Sequence, residues 1–324
     1  MSTPPHAVTV IIPAYNEELS ICDTVQELFQ ILEDTDFQFE ILVVDDGSTD
    51  NTLHLAKSTP ARVIKHDRNR GYGASLKSGI LASIYNTIAI IDADRTYPCE
   101  ALPEMVRILH RQRVSLVIGT RNSDKVHIPL LRRPAKWVIS HLAQYIAGQP
   151  IADVNSGLRV FKKESVMPFF KILSDQFSFT TTQTLAMLCN NYRITNFTID
   201  YLPRKGKSKI VPWDFINFIA LILRLSMLFN PLKVFIPLAF TFFFFSGVKT
   251  FFDIFFAIRR VGWQEYSIFI HTTLSTSSLL LFLTGIQILL IGMMSDGLSR
   301  KIEQQVWGET ADHVEEEPPD ETTP

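Results

Sequence analysis

Two long apolar segments near the C-terminus constrain the fold of this chain more than any other feature. Residues 232–252 and 274–294 are each long enough to cross the hydrocarbon core of a bilayer, about 30 Å thick, as a helix. Many of the chain's 24 Phe residues crowd this region, at 242–245, 251–252 and 255–256. The sequence therefore predicts two transmembrane helices within residues 231–296, and with them a multi-pass integral membrane protein.

The basic residues around these segments predict their orientation. Arg and Lys are concentrated before the first span and directly after the second, whereas Arg259 and Arg260 are the basic residues of the connecting loop. The positive-inside rule then places both chain termini in the cytoplasm. The N-terminus also shows no basic region followed by an apolar run, so we expect no secretory signal. Residues 297–324 are predicted to form a cytoplasmic, largely disordered acidic tail.

An amphipathic segment precedes the first span, at residues 211–230. Its polar residues Asp214, Asn217 and Arg224 are three and seven positions apart, which places them on a single helical stripe. Such a pattern is typical of a helix that lies in the membrane interface. A third membrane span is the alternative, because the segment is close to the lower limit of about 17 residues for a spanning helix.

Residues 1–210 have the pattern of an α/β domain with a mostly parallel, Rossmann-like sheet. Short apolar runs alternate with amphipathic stretches, which indicates βαβ units. Predicted strands lie at 8–12, 39–44, 62–65, 87–91, 116–118 and 194–201, and predicted helices at 18–32, 51–57, 74–84, 101–111, 135–147, 163–173 and 180–191. Because open α/β sheets bind ligands beyond the carboxyl ends of their strands, we expect chemistry after residues 12, 44 and 91.

The strongest chemical signal is the pair Asp92 and Asp94, which directly follows the strand predicted at 87–91. Two neighbouring carboxylates repel each other unless a cation lies beside them. Hard oxygen ligands at an open strand end suit Mg²⁺ or Mn²⁺, which take further ligands from water and substrate phosphates. The alternative is an ordinary turn, since turns favour Asp.

Polar segments at two other strand ends support a ligand site. Residues 13–17 read Pro-Ala-Tyr-Asn-Glu and are suited to stacking on a nucleobase. Asp45 and Asp46 follow the next strand, and Asp46 could accept hydrogen bonds from a base or ribose. Gly71 and Lys77 lie at the start of a predicted helix, where glycines, a helix N-terminus and a cation could hold an anion.

With these motifs the chain resembles the GT-A fold family 2 glycosyltransferases, and more narrowly the polyprenyl-phosphate glycosyltransferases. The resemblance covers residues 7–210, and the two-span tail is similar to that of bactoprenol-type members. It implies a nucleotide held by residues 13–17 and Asp46, and a metal-bound diphosphate at Asp92 and Asp94, with Thr96 in the third metal-site position. The predicted nucleotide-sugar site comprises Pro13, Ala14, Tyr15, Glu17, Asp45, Asp46, Gly71, Lys77 and Asp92, with Mg²⁺ or Mn²⁺ at Asp92 and Asp94.

Further motifs resemble the acceptor side of that family. They are Gly-Thr-Arg at 119–121, Asp-Val-Asn-Ser-Gly-Leu-Arg at 153–159 and Arg-Lys-Gly-Lys-Ser-Lys at 204–209. The predicted catalytic residues are Asp153, Arg121, Arg159 and Lys209, and the predicted acceptor-phosphate residues are Arg133, Arg204, Ser208 and Lys209. Arg and Lys are the side chains that neutralise phosphate. The basic run at 204–209 has an alternative reading as an anchor for anionic lipids.

The reaction that the resemblance implies is inverting transfer of a sugar from a nucleotide-sugar to polyprenyl phosphate. UDP-glucose is favoured as the donor because of the two-span tail, and GDP-mannose or another donor is the alternative. A processive polysaccharide synthase is disfavoured because no QxxRW segment is found and two spans are few for a channel. A non-catalytic membrane scaffold is a further alternative. A formal net charge of -2 gives no case for nucleic acid as a partner. Spanning helices often associate, so a homo-oligomer is a further possibility for this chain.

Overall fold

The computed structural model describes residues 6–121, 144–145, 148, 153–176, 178–200, 214–261 and 275–311. The chain forms two compact units, Met1–Ile222 and Leu223–Pro324. The predicted helix at 135–147 lies almost entirely outside the described residues, as does the basic run at 204–209.

The first unit alternates strands and helices along most of its length. The strands are β1 (Ala7–Ala14), β2 (Gln38–Asp45), β3 (Arg62–Lys65), β4 (Thr87–Ile90), β5 (Leu116–Arg121), β6 (Arg159–Lys162) and β7 (Ile194–Ile199). The helices are α1 (Ile21–Glu33), α2 (Thr52–Lys57), α3 (Tyr72–Ala82), α4 (Ala101–Arg111), α5 (Lys163–Val166) and α6 (Phe179–Cys189). The predicted mostly parallel α/β architecture is confirmed.

The strands described form one sheet in the order β3-β2-β1-β4-β6-β5-β7. β6 is antiparallel to both β4 and β5, and the other neighbouring pairs are parallel. The sequence did not predict β6, because four residues with a buried Arg at the first position lack an apolar strand pattern. The predicted helix at 163–173 is also wrong: α5 gives way to a 3₁₀ turn at Met167–Phe169. Pro168 has no amide hydrogen to continue an α-helix.

Helices cover both faces of the sheet and bury it completely at its centre. Val10, Val43 and Ala89 face a core that includes residues of α1 and α4. On the opposite face α3 approaches so closely that a Cβ at Gly79 would lie 2.6 Å from the Ile11 side chain. Burial of both faces explains why β1 and β4 read as continuous apolar runs rather than as alternating ones.

The second unit contains two long apolar helices, α8 (Leu232–Val261) and α9 (Thr276–Ala311), and α7 (Asp214–Phe229) precedes them. Leu232–Arg259 and Thr276–Lys301 are long and apolar enough to cross a membrane, which agrees with the two predicted spans. α9 continues beyond the predicted span, so residues 297–311 are helical rather than part of a disordered tail. Strong helix formers in Ser-Arg-Lys-Ile-Glu-Gln-Gln account for this extension. Residues 312–324 lie outside the described part of the chain.

Glycines of α9 allow close packing against aromatic rings of α8. A Cβ at Gly285 would lie 2.6 Å from the Phe243 ring, and one at Gly292 would lie 2.5 Å from Cβ of Phe235. Small residues at such contacts let spanning helices approach each other. Lys249 forms an ion pair with Asp253, four residues further along α8, and Asp253 also accepts hydrogen bonds from Ser275. The hairpin is therefore fixed by packing along its length and by polar contacts near the connecting loop.

Candidate active site

The carboxyl ends of β1, β2 and β4 bring the predicted site residues to one edge of the sheet. Ala14 is opposite Asp45 in the register of β1 and β2, and the amide of Ile91 donates to the carbonyl of Ile11, so the chain following β4 begins beside β1. Pro13, Ala14 and Asp45 are buried at this edge, and Asp92 follows within two residues of β4.

The loop after β1 is fixed by the loop after β2. The amide of Asn16 donates to Ser48 Oγ (3.0 Å), and its side-chain oxygen accepts from the Thr49 amide (2.8 Å). The Glu17 amide donates to Thr52 Oγ1 (2.8 Å). Asn16 adopts a left-handed conformation with φ of 54°, which Asn tolerates better than most residues. These contacts order the predicted residues Tyr15 and Glu17 at the edge of the site.

Asp45 and Asp46 have opposite environments, although they are adjacent in sequence. Asp46 accepts hydrogen bonds from the amides of Arg70 (2.9 Å) and Gly71 (2.8 Å) and lies 2.7 Å from Nδ1 of His66. Asp45 is fully buried, and neither carboxylate oxygen has a hydrogen-bond partner among the described residues. A buried carboxylate without a partner is costly. Protein groups therefore occupy both oxygens of Asp46, whereas those of Asp45 lack a donor among the described residues.

The predicted anion site at the start of α3 is occupied by protein. The amide of Ala74 donates to the carbonyl of Asp175 (2.9 Å), and a Cβ at Gly73 would lie 2.0 Å from the carbonyl oxygen of Ser174. Lys77 Nζ is 2.7 Å from the Asp175 carboxylate. The glycines thus admit another stretch of backbone, which corrects the expectation that Gly71 and Lys77 surround an anion.

Asp92 and Asp94 are each held by a neighbouring hydroxyl group. Tyr72 Oη donates to Asp92 Oδ1 (2.9 Å), and Thr96 Oγ1 donates to Asp94 Oδ1 (2.6 Å). Thr96 is fully buried, and its hydroxyl holds the Asp94 carboxylate in place. Burial, followed by the charge of Asp92, raises the pKa of the Tyr72 phenol well above its usual value. Tyr72 is therefore a neutral hydrogen-bond donor at pH 7.

The residues present fit a divalent cation. Two carboxylates supply hard oxygen ligands, and the absence of a side chain at Gly157 allows the backbone to approach Asp92 closely, because a Cβ there would lie only 2.3 Å from Asp92 Oδ2. Across the described residues no cluster of three or more His, Cys, Asp or Glu side chains is found. The remaining ligands of a Mg²⁺ or Mn²⁺ ion here would be water and substrate phosphate oxygens, as is usual for Mg²⁺.

Arg121, Asp153 and Arg159 lie around the segment 153–157. Arg121 forms a two-point ion pair with Asp153, with Nε–Oδ2 and Nη2–Oδ1 distances of 2.6 and 2.9 Å. Arg159 is fully buried and donates to the carbonyls of Ser156 and Val154 (2.7 Å each) and to α6. Burial lowers the pKa of Arg159 to about 10, so it is charged at pH 7. Of the predicted catalytic residues, Arg121 and Asp153 therefore form an ion pair, whereas the Arg159 side chain lies inside the protein.

Four predicted acceptor-side residues cannot be located, because Arg133, Arg204, Ser208 and Lys209 lie outside the described residues. Conversely, the sequence reading missed Tyr72, His66 and Tyr97. The hydroxyl of Tyr97 accepts a hydrogen bond from the Gly157 amide (2.7 Å). A large aromatic residue between Gly71 and Gly73 was the signal that could have drawn attention to Tyr72.

The chain belongs to glycosyl transferase family 2, whose model matches residues 9–170. Residues 230–300, which contain α8 and most of α9, match the GtrB C-terminal hairpin. This second match agrees with a membrane-associated protein. The family assignment confirms the resemblance drawn from the strand-end motifs.

Several relatives are named for sugar transfer to lipid phosphates. A dolichyl-phosphate hexose transferase of Haloferax volcanii is 27% identical over 64% of this chain and 87% of its own length. A dodecaprenyl-phosphate galacturonate synthase of Rhizobium johnstonii is 27% identical over 53% of this chain and 52% of that protein. A dolichyl-phosphate beta-glucosyltransferase of Dictyostelium discoideum is 28% identical over 51% and 57% of the two chains.

Solved structures confirm the GT-A-like fold. Glucosyl-3-phosphoglycerate synthase from Mycobacterium tuberculosis superposes with a TM-score of 0.56, at 20% identity over 68% of this chain and 80% of that chain. At this identity the likeness concerns the fold.

Proposed function

We propose that this protein transfers a sugar from a nucleoside diphosphate-sugar to polyprenyl phosphate at the cytoplasmic face of a membrane. Glucose from UDP-glucose is the proposed donor sugar, transferred with inversion. The observation that carries the proposal is the pair Asp92 and Asp94 after β4, at the same edge of the sheet as Asp45, whose buried carboxylate has no hydrogen-bond partner among the described residues. The names of the relatives support the acceptor class, since they refer to dolichyl and dodecaprenyl phosphates.

The donor is proposed to lie along the carboxyl ends of β1, β2 and β4. Asp45 would accept hydrogen bonds from the nucleoside, and its burial strengthens such bonds because the local dielectric is low. Tyr15 and Glu17 would contact the same nucleotide from the ordered loop after β1. Asp92 and Asp94 would hold Mg²⁺ or Mn²⁺, which when bound supplies Lewis-acid stabilisation of the leaving diphosphate.

The acceptor is proposed to approach from the side of segment 153–157. Its phosphate has a second pKa of about 6, by analogy with phosphorylated side chains, and is mostly ionised at pH 7. A strong general base is therefore less necessary than for a sugar hydroxyl. Asp153, whose carboxylate is fixed by Arg121, would orient the acceptor, and Arg159 would act by positioning the 153–157 segment. Arg133, Arg204, Ser208 and Lys209 are proposed to neutralise the acceptor phosphate.

The proposal is tested by transfer of labelled sugar into an organic-extractable lipid. Purified full-length protein with Mn²⁺ or Mg²⁺ should be active, and excess chelator should stop the reaction until metal is restored. Asp92→Asn and Asp94→Asn should each abolish transfer, while the exposed Asp34→Asn, at the far end of α1, should not. Near-normal transfer by either site variant would contradict the metal assignment.

A donor panel tests the finer part of the proposal. UDP-glucose, GDP-mannose and UDP-galacturonic acid would each be supplied with the same polyprenyl phosphate. A clear preference for another donor would overturn the choice of UDP-glucose and leave the acceptor class intact. Incorporation into a water-soluble polymer, with none in lipid, would instead indicate a processive synthase.

The membrane topology is proposed to place both termini in the cytoplasm. A reporter that is active only in the cytoplasm should be active when it is fused to the N-terminus and when it is fused to the C-terminus. A single cysteine placed in the loop between α8 and α9 should react with an impermeant thiol reagent from the outside. Opposite labelling would contradict this topology.

A further inference from the structure

Hydrogen bonds and one step along the backbone connect Ser78, in the middle of α3, with Asp92. His66 Nε2 lies 2.9 Å from Ser78 Oγ, and His66 Nδ1 lies 2.7 Å from Asp46 Oδ1. The other oxygen of Asp46 accepts from the Gly71 amide (2.8 Å). The next residue along the chain, Tyr72, donates its hydroxyl to Asp92 Oδ1 (2.9 Å).

Each link in this series restricts the next one. Gly71 has a φ of 105°, a conformation that is routine only for Gly. The Asp46 carboxylate holds that turn through two backbone amides, those of Arg70 and Gly71. Because Tyr72 is the first residue of α3, the conformation of the turn sets the position of the Tyr72 backbone and therefore of its side chain. Asp46 and His66 are both almost fully buried, so water competes little for these bonds.

We propose that Tyr72 is a positioning residue for metal binding, whose phenol orients the Asp92 carboxylate, and that the pair of His66 and Asp46 keeps Tyr72 in place. The proposal rests on the proposed function, since it requires Asp92 to be a metal ligand. Groups that hydrogen-bond to metal ligands fix ligand orientation, and their loss typically lowers metal affinity by about 10- to 100-fold. The inference reassigns Asp46 from contact with the nucleotide to support of the metal site.

The direct measurement is the dissociation constant of Mn²⁺, read from the free Mn²⁺ signal in electron paramagnetic resonance. Full-length protein is titrated with Mn²⁺ in the presence of UDP. Tyr72→Phe keeps the ring and removes only the hydroxyl, and it should raise this constant by about tenfold or more. Binding of uridine, which has no phosphate, should be unchanged. Tyr85→Phe is the matched control, because Tyr85 precedes β4 whereas Asp92 follows it.

Variants of His66 test the second part of the proposal. His66→Ala should weaken Mn²⁺ binding, as Tyr72→Phe does. His66→Asn should restore much of the affinity, because its amide can donate to Asp46 near the position of Nδ1. A general structural defect would instead lower the unfolding temperature and uridine binding together, and Asn would not restore metal affinity selectively.

The outcomes separate this inference from the proposed function. If wild-type protein does not bind Mn²⁺, or Asp92→Asn binds it equally well, both are overturned. If wild-type and Asp92→Asn behave as expected but Tyr72→Phe binds Mn²⁺ normally, only the role of Tyr72 is overturned. Equal losses in Tyr72→Phe and Tyr85→Phe would also overturn it.

Discussion

Substitution of Gly157 by Ala should disable the site by displacing Asp92. A Cβ at residue 157 would lie 2.3 Å from Asp92 Oδ2 and 2.7 Å from its Cγ. Close carbon–oxygen contacts begin near about 3.3 Å, so about 1 Å of overlap must be relieved. The φ of Gly157 is not in the left-handed region, so Ala is acceptable to the backbone and the clash with Asp92 is the main effect.

Asp92 should move more than the segment that carries residue 157. The Gly157 amide donates to Tyr97 Oη, and Ser156 Oγ donates to the Gly119 carbonyl, so the segment is held on both sides. A misplacement of about 1 Å at a reacting centre can reduce rate by about 100-fold. That factor corresponds to about 2.7 kcal/mol in the barrier.

The assay combines the initial transfer rate, the Mn²⁺ dissociation constant and the thermal unfolding midpoint of Gly157→Ala. We expect a rate loss of about 100-fold and weaker Mn²⁺ binding, with the protein still folded. Gly247→Ala, on α8, is the control, because no atom of the described residues lies within 4 Å of a Cβ at that position. A normal rate and normal Mn²⁺ affinity with a lowered midpoint would show that the segment moves instead, and would refute the reasoning.

Three further substitutions test separate parts of the molecule. Arg159→Met should lower the unfolding midpoint by several degrees, since each buried carbonyl left without a donor costs about 1–3 kcal/mol; an unchanged midpoint would contradict its structural role. Lys209→Ala should lower the transfer rate about tenfold or more, which corresponds to roughly 1.4 kcal/mol in the barrier, and the variant should stay in the membrane fraction. Lys207→Ala should have far less effect on the rate. Similar small losses of rate in both variants would favour a lipid anchor. Burial, followed by the charge of His6, lowers the pKa of His110, so the folded state disfavours its protonated form. The free energy of unfolding should therefore fall as pH drops below about 6.5. The unfolding midpoint of His110→Gln should depend less on pH in that range than the midpoint of the wild-type protein. Identical pH profiles for the two proteins would show that His110 is not the cause of the loss.

The sequence predicted the strand ends and the spanning helices because their signals are local. β1 and β4 are short β-branched runs that end in polar residues, and α8 and α9 contain apolar stretches longer than a soluble helix requires. Neither signal depends on what packs against the segment. The position of Asp92 and Asp94 at the sheet edge followed directly from that pattern.

Tertiary partners decided the features that the sequence did not predict. Asp45 and Asp46 differ in environment because the amides of Arg70 and Gly71, more than 20 residues away, donate to Asp46. Gly73 reads as part of an anion loop, but backbone around residue 174 occupies that space. Such contacts join residues from 24 to 101 positions apart, and a single sequence contains no periodicity that reports them.

The turn that follows β4 is held from three directions, which gives a physical basis for the proposed metal site. Arg95 adopts a left-handed conformation with φ of 58° and forms ion pairs with Asp23 and Glu27 on α1. Tyr72 from α3 donates to Asp92 Oδ1, and Gly157 approaches Asp92 Oδ2. A non-Gly residue in that conformation is strained and persists only where its surroundings determine it. The residues that hold the turn come from elements on different faces of the sheet. The turn can therefore orient two repelling carboxylates before a cation binds. The free energy of folding then offsets the repulsion between them.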